Sequence, residues 1–302
     1  MKDLITIALP VYKRTDFVKS ALDSAVKQTR ECSILLIDNN SPHDDFKKIV
    51  DSYNNPNIKY IKTKETVPQD ENFNNCFRYA ETPWVTILHD DDMLHCQYVE
   101  FSGKILEKYG NKAGGIGYTS FVAEKEWDEI YSQKELTSDI RAMNPAFFYF
   151  HHFAFPGILL NKDAAMKIGG FKNGLFPIAD FDFWYRYSLE MPMIFANQQM
   201  SFYRISPSQS TNQVIDAMIN NIYKYRLKII EEGKHNNFLC KLGLEHSRLR
   251  NIEYFTDTYD SVEMPELVNE KQFRKAQKIL KYKIPEKIVR TYMDRIAFSN
   301  PG

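Results

Sequence analysis

The sequence predicts an α/β protein in which a mostly parallel sheet is flanked by helices and followed by a C-terminal helical appendage. Two observations carry this. Over the first ninety residues short apolar runs alternate with amphipathic segments, the pattern of successive βαβ units. Beyond about residue 212 that alternation stops and an apolar stripe at three-to-four spacing replaces it.

Taken in order, Leu4 to Leu9 reads as the first strand, and Thr15 or Asp16 is placed to cap a helix whose Phe17, Val18, Ala21, Leu22, Ala25 and Val26 recur on one face. Ile34 to Ile37, Ile58 to Ile61 and Trp84 to Leu88 are the next strands, separated by helices over Asp44 to Tyr53 and Asn72 to Ala80. From Gly110 to Phe171 the pattern is less regular, and Phe147, Phe148, Tyr149, Phe150, Phe153 and Phe155 crowd around His151 and His152. The plain expectation for that cluster is a buried strand pair. Ile215, Met218, Ile219, Ile222, Ile229 and Ile230 then mark a helix face. Residues 1–212 are therefore expected to form the main domain and 213–302 a helical region, with no internal repeat.

A chain of 302 residues buries enough surface for an enzyme core. Lys plus Arg and Asp plus Glu both number 39, so there is no basic surplus of the kind a nucleic-acid binder uses. Cys32, Cys76, Cys96 and Cys240 are widely spaced and make no CxxC pair, which argues against a disulfide framework or structural zinc and for reduced thiols in a cytoplasm. The N-terminus lacks the features of a signal peptide, and no stretch approaches the roughly 18 uninterrupted apolar residues of a spanning helix.

Ligands of such sheets collect beyond the carboxyl ends of the strands. Polar clusters follow three of them: Pro10 to Arg14, Asp38 to Ser41, and His89 to Asp92. The last is the most informative, because three adjacent carboxylates repel one another unless a cation or donor groups compensate them; taken alone an Asp triplet is equally a solvated acidic turn or a helix N-cap. Hard ions such as Mg²⁺ and Mn²⁺ favour oxygen ligands and bridge carboxylates to substrate phosphates, which points to a nucleotide diphosphate. Asp38-Asn39-Asn40-Ser41 offers a carboxylate and amides for a base and ribose, and Pro10, Val11 and Tyr12 offer an apolar lip beside it; taken alone the Asx-rich run is equally a turn. Asp180 and Asp182 sit among aromatic residues that would desolvate a carboxylate and raise its pKa toward the range of a general base. The alternative is that they cap the following helix or pair with Arg186.

These residues resemble the family 2 glycosyltransferases with a GT-A fold, over roughly residues 4 to 210. Ile7 to Arg14 is similar to the family's first strand and PVYN-type loop, with Lys13 in place of Asn. Leu36 to Ser41 is similar to the VDDGS segment, and Ala80 to Asp92 resembles the segment that ends in the DxD motif, with His89 in place of its first Asp. Gly157 to Leu160 and Ile168 to Phe171 resemble the acceptor-side segment, and Ala179-Asp180 stands where the family has Glu-Asp. Tyr203 to Pro207, with Ser208 to Ser210 behind, resembles a lid loop.

The resemblance implies an inverting transfer of one sugar from a nucleotide-sugar, by default a UDP-sugar, to a hydroxyl of a glycan or lipid-linked acceptor in bacterial surface polysaccharide synthesis. Asp180 is then the base. Asp38 reads the nucleotide base near Pro10 and Tyr12, Asp90 reaches the ribose or diphosphate, and Asp91 holds Mn²⁺ or Mg²⁺ with Asp92 beside it supporting the loop. Arg204 neutralises diphosphate charge or makes an ordinary surface ion pair, and Trp184 or the Phe147 to Phe155 cluster stacks on a sugar. His95, His151 and His152 read as packing or cleft residues. Competing readings are a sugar nucleotidyltransferase, which needs a Gly-rich loop that Pro10 to Asp16 lacks, and a catalytically silent carbohydrate-binding scaffold. Lys271 to Arg295 interleaves basic and apolar residues, a pattern for peripheral membrane contact at the inner face of a plasma membrane, or for packing on its own domain or in a homodimer.

Overall fold

Ile5–Val11 (β1) has every residue buried, because strands lie on both sides of it and helices on both faces. It is followed by Val18–Val26 (α1), Ser33–Asp38 (β2), Asp45–Ser52 (α2), Ile58–Lys62 (β3), Gln69–Tyr79 (α3) and Trp84–Ile87 (β4). β4, β1, β2 and β3 lie side by side and run parallel. The computed structural model describes residues 4–206, 214–258, 286–299 and 301.

The remaining elements are Met93–Leu94 (β5), Tyr98–Tyr109 (α4), Gly115–Ala123 (β6), Ile140–Met143 (β7), Leu159–Asn161 (β8), Lys162–Lys167 (α5), Ala179–Glu190 (α6), Met193–Arg204 (β9), Ile215–Glu231 (α7), Phe238–Thr258 (α8), Glu286–Ala297 (α9) and Phe298–Ser299 (β10). The sheet order is β10-β7-β9-β6-β8-β4-β1-β2-β3, with β5 added on β9. β8 runs antiparallel to β4 and β6, so the second half of the sheet is mixed.

The two-residue period of a strand sends alternate side chains to opposite faces. In β2, Ile34 and Leu36 join a core with Leu22, Phe46, Val99 and Phe101, whereas Leu35 and Ile37 join a second core with Phe73, Phe77, Phe171 and Phe183. α1 begins at Val18 with Phe17 at its N-cap and no side-chain cap, so neither Thr15 nor Asp16 caps it as expected.

The aromatic segment departs from the expected strand pair. Pro145–Tyr149 is a 3-10 turn, and Phe150, Phe153 and Phe155 follow in irregular chain, all buried. Its rings fill the space between α6, α7 and the sheet, with Phe147 stacked on Phe153 at 4.9 Å and Phe148 edge-on to Phe181 at 6.0 Å. Apolar content foretold burial but not backbone shape, since rings pack from a turn as readily as from a strand.

The described residues of the C-terminal segment are mostly helical, as expected, yet they return to the sheet. Ile229, Ile230, Leu244, Val289 and Met293 pack with Ala146, Tyr149 and Phe150, and β10 pairs antiparallel with β7 at Phe298 and Met143. All four cysteines are buried and free. Among the described residues no helix is long and apolar enough to cross a membrane.

Candidate active site

The carboxyl ends of β1, β2 and β4 are drawn together by backbone geometry. Lys13 and Asn40 take left-handed conformations, at φ 59° and 55°, which turn the chain sharply as it leaves each strand. The Asn39 N–H donates to the Val11 carbonyl at 3.0 Å, and the Lys13 N–H donates to Ser41 Oγ at 3.0 Å. Arg14 closes the group: its Nη2 donates to Asp90 Oδ1 and Asp91 Oδ2, each at 2.7 Å.

Beyond these ends lies a cavity of about 1190 Å³. Pro10, Tyr12, Asn39 and Val67 line it, as do Arg14, Asp90 and Asp91; Asp70, Asp180, His151 and His152 line it as well. Of the residues singled out in the sequence, Pro10, Tyr12, Asp90, Asp91 and Asp180 meet in this one space. The sequence reading did not single out Arg14, whose signal was only a basic residue in a loop already marked as polar.

Burial pushes the Asp90 carboxyl up against the lowering effect of Arg14. Burial and the neighbouring Asp91 charge push Asp92 well up. Burial would lower the Arg14 pKa, but its bonds to Asp90 and Asp91 outweigh this and raise it.

Asp92 is 1% exposed and lies behind Asp91. Its Oδ1 accepts the Arg204 N–H at 3.0 Å, while Oδ2 has no hydrogen-bond partner and lies 3.6 Å from His89 Nδ1. The His89 ring stacks on Phe155 at 4.1 Å and on Phe73 at 5.4 Å, and burial drives its pKa down to about 4, so the imidazole is neutral. One ligand atom from each of His89, Asp91 and Asp92 falls within 4.8 Å of the others. An unpartnered carboxylate oxygen beside a second carboxylate and a neutral imidazole fits a divalent cation, whose charge would offset the repulsion within the triplet. His89 as a candidate ligand was not read from the sequence; the sign was its place directly before the triplet.

Asp38 is placed differently from the expectation that it contacts a base. It has no exposed surface; Oδ1 accepts the Ser41 N–H at 2.8 Å and Oδ2 accepts the Tyr60 hydroxyl at 2.8 Å. It holds the turn, and Asn39, Thr66 and Val67 present the cavity surface there. Asn39 in turn clamps Val67, donating to its carbonyl and accepting its N–H, both at 2.9 Å.

Arg204 is also turned inward, 4% exposed, with Nε donating to the Asp91 carbonyl at 2.8 Å, Nη2 to Glu126 at 2.9 Å, and Phe17 under the guanidinium at 4.3 Å. In this position it braces the carboxylate loop from behind, and Arg14 is the cation that faces the cavity beside Asp90 and Asp91. Trp184 is buried against Phe155 and Phe171, away from the cavity wall. His95 packs beside Trp127. Residues 207–210 of the expected lid lie outside the described residues.

α6 separates the two acidic residues of its first turn. Asp182 points inward, where Oδ2 accepts Arg186 Nε and Oδ1 accepts the Tyr225 hydroxyl, both at 2.7 Å; this is the structural pairing named as the alternative. Asp180 faces the cavity, and burial raises its pKa to about 6 although its Oδ1 accepts the Phe181 N–H at 2.7 Å. Asp70, from the start of α3, adds a small upward push.

A parallel half-sheet whose strand ends carry paired carboxylates, joined to a mixed half that presents one desolvated carboxylate, is the architecture of a GT-A glycosyltransferase. The chain belongs to glycosyl transferase family 2, whose family model matches residues 6–169. It is similar to an uncharacterised glycosyltransferase of Rickettsia prowazekii, 25% identical over 251 residues that cover 80% of this chain and 73% of the relative. It is also similar to one of Haemophilus influenzae, 22% identical with 85% and 90% covered. Among solved structures it resembles S. aureus TarS 1–349 in complex with UDP-GlcNAc, at a TM-score of 0.63 and 12% identity, covering 97% of this chain and 84% of that one. It covers 50% of the longer TarS chain. The mannosyltransferase PcManGT from Pyrobaculum calidifontis, in complex with GDP-Man and Mn²⁺, is similar at a TM-score of 0.58 and 13% identity, with 96% and 82% covered.

Proposed function

We propose that this glycosyltransferase inverts configuration as it moves a sugar from a nucleotide-sugar to a hydroxyl of a glycan or lipid-linked acceptor. The observation that carries the reading is that one cavity holds both the Arg14-Asp90-Asp91 cluster and the desolvated Asp180. Asp180 accepts the proton of the acceptor hydroxyl as that oxygen attacks the anomeric carbon, and the nucleoside diphosphate departs. Pro10, Tyr12, Asn39 and Val67 form the surface against which the base lies, with Asp38 fixing the turn beneath. Arg14 offers its charge to the diphosphate, and Asp90 orients the ribose or diphosphate. Asp91, Asp92 and His89 would hold Mn²⁺ or Mg²⁺, which when bound supplies Lewis-acid stabilisation of the leaving group.

UDP is the first base to test, since the segment around Asp38 resembles its binding segment and TarS is solved with UDP-GlcNAc; the mannosyltransferase with GDP-Man makes GDP the comparison. A role in bacterial surface polysaccharide synthesis, with peripheral contact of the basic C-terminal segment at the inner membrane face, completes the proposal. Of that segment residues 271–285 lie outside the described residues, and flotation of the protein with anionic liposomes tests the contact directly.

The deciding experiment is thermal stabilisation by UDP, GDP and their sugars with and without Mn²⁺, followed by turnover, since a ligand bound only by the native state raises apparent stability. A metal-dependent shift with one nucleotide class and transfer from its sugar is expected. No shift with any nucleotide would turn the reading toward a silent carbohydrate-binding scaffold.

A further inference from the structure

Arg226 on α7 is 1% exposed, yet none of its partners is an anion. Its Nε donates to the Phe148 carbonyl at 3.1 Å, Nη1 donates to Ser247 Oγ at 3.0 Å, and Nη2 lies 3.4 Å from His152 Nδ1. Among the described residues no carboxylate stands within ion-pair distance of it. A buried cation without a counter-charge is expensive, and hydrogen bonds to neutral groups offset only part of that cost.

His152 connects this charge to the cavity. A guanidinium only donates, so His152 Nδ1 accepts, and the neutral imidazole carries its proton on Nε2. His152 keeps accessible surface and lines the cavity beside His151. Burial, then the Arg226 charge, lowers His151 to about 4, and desolvation by the surrounding protein and the Arg226 charge act in the same direction on His152, so positive potential reaches this wall while both rings stay neutral. Arg141 also lines the cavity, but Asp139 already holds it through two bonds at 2.8 and 2.9 Å.

The position is on the acceptor side. The Arg226 guanidinium lies over the Phe181 ring at 5.2 Å, and Phe181 follows Asp180 directly. The nucleotide surface, by contrast, is built at the ends of β1 and β2.

We propose that His152 Nε2–H, backed by Arg226, forms an oxyanion subsite that selects acceptors bearing a phosphate or a carboxylate near the reacting hydroxyl. The inference rests on the transferase reading above. An Nε2–H donor aligned by a charged donor behind it offers a hydrogen bond strengthened by that charge, and a bound oxyanion supplies the counter-charge that Arg226 lacks.

The test uses the full chain labelled with ¹⁵N-histidine and saturated with UDP and Mn²⁺, so that the donor site is closed to added anions. Inorganic phosphate and acetate are titrated in. The expected result is an Nε2-protonated His152 whose signals move saturably with one or both anions, and a loss of that response in Arg226→Met. His152 signals that do not respond to either anion, or that respond equally in Arg226→Met, overturn the subsite. The second measurement compares kcat/KM for a methyl hexoside, its 6-phosphate and the matching hexuronide. An anionic acceptor is expected to be favoured by at least roughly tenfold, with the ratio collapsing toward one in His152→Phe, a change at the cavity surface that serves if Arg226→Met does not fold. A preference for the phosphate or for the uronide names the source of the anion. Equal use of all three acceptors by the wild type, or a preference retained in His152→Phe, overturns selection. Absence of stabilisation by any nucleotide in the wild type would instead strike the transferase reading itself, and stabilisation by GDP alone moves the titration to the GDP complex, so the two failures are told apart.

Discussion

Asp180 and Asp182 stand two positions apart at the start of α6 and differ by everything their surroundings do to them. Asp182 is matched by Arg186 and Tyr225, whereas Asp180 has backbone N–H donors and a cavity but no charged partner. A base must be deprotonated to work, so with its pKa near 6 the kcat/KM should rise about tenfold per pH unit below 6 and level off above it. A flat profile between pH 5 and 7 for folded enzyme would remove Asp180 from the role. Asp180→Asn should lower kcat by roughly 10²–10⁴ while UDP-sugar still stabilises the protein, as read by single-turnover kinetics and thermal shift. At the other cluster, Asp91→Ala should abolish the Mn²⁺-dependent part of UDP binding by calorimetry and leave Arg14 paired with Asp90 alone. UDP binding that keeps its full Mn²⁺ dependence would move the metal off Asp91.

Asn74 shows how an element is fixed to its neighbour. On buried α3, its Oδ1 accepts the Phe171 N–H at 2.7 Å and its Nδ2 donates to the Phe171 carbonyl at 2.9 Å, tying the chain that leads into α6. Gly170, at φ 63°, is required beside it, because a Cβ there would lie 2.2 Å from Asn74 Oδ1. Asn74→Ala leaves both Phe171 backbone groups unpaired in the interior and should cost about 2 kcal/mol in denaturant unfolding. It should also lower kcat more than donor affinity, since the segment it holds carries Asp180; an equal loss in both would show the segment serves the donor side too. The loop after β1 makes a similar point. Lys13 sits at φ 59°, a conformation Asn adopts more readily, which gives a physical reason for Asn in the family's loop. Lys13→Asn is expected to raise the midpoint of thermal unfolding slightly.

For the whole molecule, the C-terminal segment is part of the sheet's support. β10 extends the edge at β7, and Ile222 and Ala297 belong to the core that holds Phe147, Phe148 and Phe181. A chain ending at residue 212 would leave Ala146, Tyr149 and Phe150 uncovered as well as removing Arg226. Such a truncation is expected to be insoluble or to unfold well below the full chain by calorimetry. A soluble fragment with an unchanged unfolding midpoint would restore the segment as a separable appendage. The consequence reaches any membrane experiment, which should alter surface lysines and arginines of the segment instead of deleting it.

How far the sequence went depended on whether the relevant physics is local. β1, β2 and β4 were legible because strands buried on both faces read as apolar runs, β3 because its residues alternate in exposure along the sheet edge, and the strand-end loops because turns need particular residues. Pro10, Tyr12, Asp90, Asp91 and Asp180 followed from that, since a residue just past a parallel strand or at a helix start has a constrained position. The mixed half of the sheet was not legible: β7, β8 and β10 are two to four residues long and are strands only because a partner stands beside them. The inward turn of Asp38 was decided by Tyr60, that of Arg204 by Glu126 and Phe17, and the pairing of Arg14 with Asp90 and Asp91 spans 76 and 77 positions. By itself the sequence determined the fold of the first half and the family. Only the tertiary structure decided which charged groups face the cavity and which brace it from behind, because that depends on which distant partner reaches each group first.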